Sequence, residues 1–323
     1  MGYITVRRGG AILRGVGPLP ALALSIDCDG CTLDRLRLVL GYWAGTGGTD
    51  AGPALGLPVA SSMFCYSRNP ASPPQAAYLD GDREGLLEAY RRGWIDSLHT
   101  TGDFAADRPC TREMAKRAFD ALEADVVRIS VWTNHGGPEN RQKCLDGGGV
   151  GDLPESPGYL ADLAADYGIR HWWLSELTPV AGQDRAAGAG EYYGGRDDLP
   201  AWKRLAGRLG VLSYPGNALF VPRRFRDGRD VRSFRRYGRW RFDTVSRLPE
   251  ILSASVLDRL EAAGGAMLVY LHIGPSADET PERLRAGLKA MDEVARRAKE
   301  GRLRVMRTAD LLNERSAAAN PAG

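Results

Sequence analysis

Four histidines are present in this sequence, and three of them close strand-like runs beside acidic or amide side chains. Asp27 and Asp29, in SIDCDG, are spaced i, i+2, which on an extended chain points both carboxylates to one side. One can then bind a cation while the other contacts its water. In HTTGD, His99 and Asp103 are four residues apart, the span of one helical turn, so an imidazole and a carboxylate can meet on one ion. Gly102 supplies backbone freedom for a tight turn there. Asp103 also fits an Asx turn; the cap of the following helix is better filled by Thr111. Asn134 and His135 end a fourth run, Glu176 a fifth and His272 the last, whereas His171 opens a run and so faces the other way. A few N and O ligands that leave positions open for water and substrate are what a hydrolytic metal site needs.

These groups are far apart in sequence, so the fold has to gather them. Apolar and β-branched runs occur at 21–27, 59–66, 95–100, 126–132, 170–176, 218–223 and 266–273. Between them, the segments 111–124, 158–168, 248–265 and 280–301 carry apolar residues at helical spacing and close on glycine or charge. Strands alternating with helices predict an α/β protein with parallel strands and crossover helices. Seven strands without an internal repeat predict a single barrel or strongly curved sheet, in which the carboxyl ends of the strands converge on one mouth. The expected layout is an N-terminal extension (1–20), the barrel (21–313) and a flexible tail (314–323). The glycine-rich stretches 144–152 and 180–195 are expected as long loops, because neither follows a strand and opens a helix as a phosphate-binding fingerprint must.

Composition narrows the class. With 323 residues, 43% of them hydrophobic, the chain can bury a full core. An odd count of five cysteines with one isolated C-x-x-C indicates neither a disulfide framework nor a zinc ribbon. No apolar run reaches the about 18 residues of a spanning helix. The N-terminal apolar stretch is broken by Arg14, Gly15, Gly17 and Pro20, which argues against a secretory leader; the expectation is a cytoplasmic protein with no membrane partner. Net charge is only +3, yet 223–241 holds nine arginines against two aspartates. That run reads either as a solvated face paired with acidic neighbours or as an anion-binding surface, with Phe225, Phe234, Tyr237 and Trp240 interleaved. One such patch on a near-neutral chain does not indicate nucleic acid.

In this order, the residues resemble the NodB-homology polysaccharide deacetylases, metal-dependent carbohydrate esterases with a distorted seven-stranded (β/α) barrel. LSIDCDG is similar to the family's first motif, which implies Asp27 as catalytic base and Asp29 as metal ligand. HTTGD resembles the His-Ser/Thr-x-x-His motif, with His99 as ligand and Asp103 where the second histidine usually stands. LVYLHIG resembles the late motif whose histidine is the general acid, His272 here. The family's arginine-bearing motif is matched only by Arg128 in VRISVW, with Ser130 where proline is expected. The resemblance covers about residues 20–313.

The resemblance implies a divalent metal held by Asp29, His99 and Asp103, zinc first, with iron, manganese, cobalt and nickel compatible with so anionic a set. Metal-bound water would be the nucleophile against an acyl group, N-acetyl on an amino sugar. Asn134, His135 and Glu176 are the expected substrate contacts, and Trp172, Trp173, Tyr192 and Tyr193 could offer a sugar platform, although core packing accounts for the two tryptophans equally well. The expected substrate is a small acylated sugar or sugar conjugate, with an anionic group for the arginines to receive. Two other functions fit: a glycosidase using Asp27, Asp29 and Glu176, or a non-catalytic carbohydrate-binding relative.

Overall fold

A computed structural model describes residues 7–8, 11–12, 19–49, 52–137, 139–196, 198–238 and 243–319. The chain is α/β, with one curled sheet wrapped by helices. In chain order its strands are β1 (Ala21–Asp27), β2 (Ser61–Met63), β3 (Ile95–His99), β4 (Val131–Thr133), β5 (His171–Trp173), β6 (Leu177–Thr178), β7 (Phe220–Arg224), β8 (Asp230–Phe234), β9 (Arg236–Tyr237), β10 (Ala266–His272) and β11 (Arg304–Val305). Neighbours run β6-β9-β10-β1-β2-β3-β4-β5-β8-β7, and β11 pairs with the start of β1. All pairs are parallel except β7 with β8. The helices are α1 (Leu33–Trp43), α2 (Arg83–Arg91), α3 (Arg112–Ala124), α4 (Ala161–Tyr167), α5 (Ala189–Gly194), α6 (Ala201–Arg208), α7 (Leu248–Ile251), α8 (Ala254–Ala263), α9 (Pro281–Lys299) and α10 (Thr308–Ala319). The Thr111 hydroxyl caps α3 by accepting from the Met114 N–H.

Period-two alternation sorts β1 between two apolar layers. Leu22, Leu24 and Ile26 pack outward with Leu36, Leu40 and Trp43 of α1 and with Leu288 and Met291 of α9. Ala21 and Ala23 face the other way, into a second cluster with Val131, Phe234, Ala266 and Leu268 that Leu311 and Leu312 of α10 complete. Both faces of β1 are buried, as in a parallel strand covered by helices on one side and by the inside of a curled sheet on the other. Along the inner face, the small residues Ala21, Ala23 and Ser25 lead to Asp27, and on β10 Ala266, Leu268 and Tyr270 lead to His272. The inside is thus apolar at the amino ends of the strands and polar at their carboxyl ends.

Three expectations need correction. The run 218–223 forms the outer antiparallel strand β7, and the inner position belongs to residues 230–237, whose arginines disguise a strand. That segment runs along β5 as β8, breaks at Arg235 and continues along β10 as β9. The fourth strand begins at Val131, after Val126 has adopted a positive φ of 58°. Residues 314–319 are helical: α10 continues to Ala319, Glu314 pairs with Arg304, and Ser316 accepts from Arg232. Residues 1–6, 9–10, 13–18, 239–242 and 320–323, which take in Trp240 and most of the expected N-terminal extension, lie outside the described residues.

Candidate metal centre

Strand register builds the centre. Asp27 and His272 end β1 and β10 as direct partners, and Thr133 is the partner of His99 across β4 and β3. Side chains on adjacent strands in register share one face, so these four groups meet although up to 245 positions separate them. Asp29 lies two residues beyond β1 and His135 two beyond β4. Asp29, His99 and His135 bring one ligand atom each within 4.8 Å of one another, as do Asp27, Asp29 and His272.

The first trio is the tighter. His135 Nδ1 is 2.9 Å from both Asp29 Oδ1 and His99 Nε2, and His99 Nε2 is 3.2 Å from Asp29 Oδ2. Each imidazole is held through its other nitrogen: His99 Nδ1 lies 2.6 Å from the Thr133 hydroxyl, and His135 Nε2 lies 3.2 Å from Asp103. Such outer contacts fix ring orientation and tautomer around a cation. Phe64 packs against both rings at 5.1 Å and gives the site an apolar wall. Asp29 Oδ2 is buried and accepts no hydrogen bond of acceptable geometry. A desolvated carboxylate oxygen left so is costly unless a cation faces it, and the donor set around it fits a divalent metal.

Electrostatics point the same way. Burial would raise the Asp29 carboxyl, but His99 and His135 outweigh it and hold it well below the usual range. Burial likewise opposes charge on His135, yet Asp103 and Asp29 overcome it and push the imidazole up to about 9. The pair of carboxylates therefore demands positive charge at this point, as a proton or as a metal ion. Cys28 and Cys31 flank Asp29 but belong to neither cluster; burial pushes the Cys28 thiol well up and Cys31 to about 12.

Asp103 stands one step away from where the sequence suggests. The helical turn from His99 does not form; Thr100 takes a positive φ of 52°, and Gly102–Phe104 is a short strand parallel to Tyr66–Arg68. A Cβ on Gly102 would sit 2.4 Å from the Tyr66 carbonyl oxygen, so this close pairing requires glycine. Asp103 consequently lies behind His135, and accepts from Gln75, Asn69 and Asn140 at 3.0–3.3 Å. Burial raises its carboxyl, but the bonds from His135, Ser72 and Asn69 hold it at about 2. It is absent from both clusters, and His135, expected to touch substrate, occupies the third position.

Arg128 is also displaced. It is exposed, precedes β4 at the end away from the mouth, and donates to the Val127 carbonyl. The arginine beside Asp27 is Arg236 of β9, fully buried, with Nη1 and Nη2 at 2.7 and 3.1 Å from the two carboxylate oxygens. Its guanidinium lies 3.9 Å from the Trp173 ring centroid. Phe234 and Arg236 alternate on the inner face, a spacing that marks the strand once the surrounding charges are set aside. Most other described arginines of the run are committed: Arg223 to Glu176, Arg224 to Asp230, Arg226 to Asp152 and Arg229 to Asp227.

The remaining expected contacts are occupied. Asn134 is buried, accepts from Trp132 Nε1 and donates to the Cys144 carbonyl. Glu176 accepts from Ser233, Arg223 and the Leu174 N–H and belongs to neither cluster. Trp172 packs on Trp132 and Phe225, and Tyr192 and Tyr193 pack on each other in a separate cluster, leaving Trp173 and Tyr270, stacked 5.6 Å apart, as the aromatic pair near the site. His171 binds Asn313 at the opposite end of the sheet.

Fold and site together define an α/β protein whose curled sheet carries a buried histidine–carboxylate cluster able to hold a metal ion. No known family's sequence profile matches the chain, and no curated protein does. Among solved structures, a cube-shaped, highly porous protein cage designed by fusing symmetric oligomeric domains aligns over 94% of this chain and 81% of its own, at 15% identity and a TM-score of 0.29, a likeness that carries no argument. Among the described residues, no helix is long and apolar enough to cross a membrane.

Proposed function

We propose that this protein is a metal-dependent hydrolase of the NodB-homology deacetylase type, which removes an acyl group, N-acetyl on an amino sugar, from a small sugar-containing metabolite. The observation that carries this reading is the convergence of Asp29, His99 and His135 around the unsatisfied Asp29 Oδ2. An Asp-His-His set is the family's usual ligand composition, here with its third arm from the loop after β4. A seven-position ring, made by β1, β2, β3, β4, β5, the 230–237 segment and β10, supports the distorted barrel.

Zinc is the metal best suited to this N and O donor set, and when bound it acidifies a coordinated water towards about 7 and polarises the acyl oxygen. Asp27 accepts the proton of the attacking water, while Arg236 fixes that carboxylate in one orientation. His272 Nδ1 donates to the Asp243 carbonyl at 3.1 Å, so Nε2 is the atom that exchanges protons with the site. Burial lowers the His272 imidazole, against the pull of Asp29 and Asp27. The proton that Asp27 takes from the water would pass by way of Nε2 to the departing amine, which leaves poorly without one. Tyr270, only partly buried beside His272, is the aromatic side chain left to meet a sugar ring.

The test is elemental analysis of the purified protein together with acetate release from a panel of N-acetylated sugars. Asp27→Asn is expected to abolish release while metal stays bound. Wild-type rates from that variant would remove Asp27 from the role of base, and an Asp29→Ala variant that keeps its metal would overturn the site.

A further inference from the structure

Among the described residues, four of the five most exposed large apolar side chains lie on one short element and the loop after it, Val126 being the fifth. Trp202, Leu205, Leu209 and Val211 are 65%, 57%, 71% and 74% exposed. They belong to α6 and the loop that leaves it. At 100° per residue, Trp202, Leu205 and Leu209 fall within an arc of about 60°. Gly207, the buried position of the helix, lies on the far side, where an added Cβ would sit 2.1 Å from the Tyr193 ring. An amphipathic helix ordinarily turns its apolar stripe to the core; α6 is seated on Tyr193 by its glycine and turns that stripe outward.

Charge identifies what covers this face. Lys203 and Arg208 are exposed and project from the two flanks of the stripe, and no aspartate or glutamate occurs from Leu199 to Gly216. A second copy of the chain docked stripe to stripe would bring four such cations together with no carboxylate of this segment to offset them. Anionic lipid headgroups neutralise those cations while Trp202 and the leucines enter the headgroup–acyl boundary. Eight residues are far too few to span a bilayer.

We propose that α6 and the loop through Val211 form a peripheral docking surface for an anionic membrane. The expectation of no membrane partner gives way here to reversible attachment without insertion. None of these residues belongs to the metal centre, so this surface stands or falls independently of the deacetylase reading.

The experiment is flotation of the full chain with vesicles of phosphatidylcholine alone or mixed with phosphatidylglycerol. Partition onto the anionic vesicles is expected to be about thirtyfold stronger, from two cations near the surface, and to fade at high salt. The double variant Leu205→Glu, Leu209→Glu should stay unbound on both, and Lys203→Gln, Arg208→Gln should fall to the neutral-vesicle level. All four side chains are exposed, so melting temperatures should stay at the wild-type value. Failure of the wild type to float with anionic vesicles at low salt overturns the proposal. A dimer in sedimentation that Leu205→Glu, Leu209→Glu splits would assign the face to a second copy instead, and overturn it equally.

Discussion

Replacing Arg236 by methionine keeps most of the side-chain volume and removes the charge that faces Asp27. The pair is fully buried, with N···O distances of 2.7 and 3.1 Å. With charge centres roughly 4 Å apart and an effective dielectric constant near 20, the attraction is about 4 kcal/mol. That agrees with the ~3–5 kcal/mol lost when one partner of a buried pair is removed and the other stays desolvated. Burial would raise the Asp27 carboxyl, and Arg236, then His99 and His272, more than offset this and keep it below the usual range. In the wild type its contribution is therefore present above about pH 4 and lost as pH falls through the depressed folded value. In Arg236→Met burial wins, the folded value rises above the unfolded one, and the penalty is present at neutral pH and disappears below about 4. The stability gap between the two proteins should thus be widest near neutrality and narrow towards acid. Urea unfolding of the chelator-treated proteins reads it directly, and the melting temperature should fall by roughly 4–7 °C at neutral pH. Asp27→Asn combined with Arg236→Met should regain roughly 2 kcal/mol over the sum of the single losses. A loss below about 1 kcal/mol for Arg236→Met, or additive singles, would refute the argument that this pair sets the state of Asp27.

Three further outcomes follow from the geometry. His135→Ala should abolish divalent-metal binding, whereas Asp103→Asn should weaken it only about 10–100-fold, because Asp103 orients a ligand rather than serving as one; titration calorimetry separates the two, and equal losses would restore Asp103 to the ligand set. With His135 pushed up to about 9 and required neutral as a ligand, metal affinity should rise with pH and level off near that value, with proton release visible as a dependence of the binding heat on buffer; no proton release at neutral pH would contradict the raised imidazole. Gly274→Ala should lower metal content in a folded protein, because a Cβ there would meet the Asp29 carbonyl oxygen at 1.9 Å and push the loop that carries this ligand; unchanged metal affinity would show slack in that loop.

Much of the strand order was legible because parallel strands covered on both faces read as apolar runs, and β1 and β10 stand where those runs do. The strand at 230–237 was not, since Arg232, Arg235 and Arg236 look like a solvated run until one sees Arg236 neutralised by Asp27 and stacked on Trp173. Solvation and pairing leave the same residue letters behind. Likewise, spacing alone could suggest that His99 and Asp103 meet, because a helical turn is the simplest path between them, but Thr100 takes left-handed geometry and Gly102 opens a short strand instead.

The residue types and their places at strand ends are properties of the sequence: Asp27, Asp29, His99, His135 and His272 all stand at or just beyond the carboxyl ends of strands. Which of them meet is a property of the tertiary structure. Register across β1, β10, β3 and β4 determines that His135 joins Asp29 and His99 while Asp103 stands behind it, and that the arginine beside Asp27 comes from residue 236 and not from 128. The physical reason is distance: a ligand set is defined over a few ångströms, and only the pairing of strands far apart in sequence sets separations on that scale.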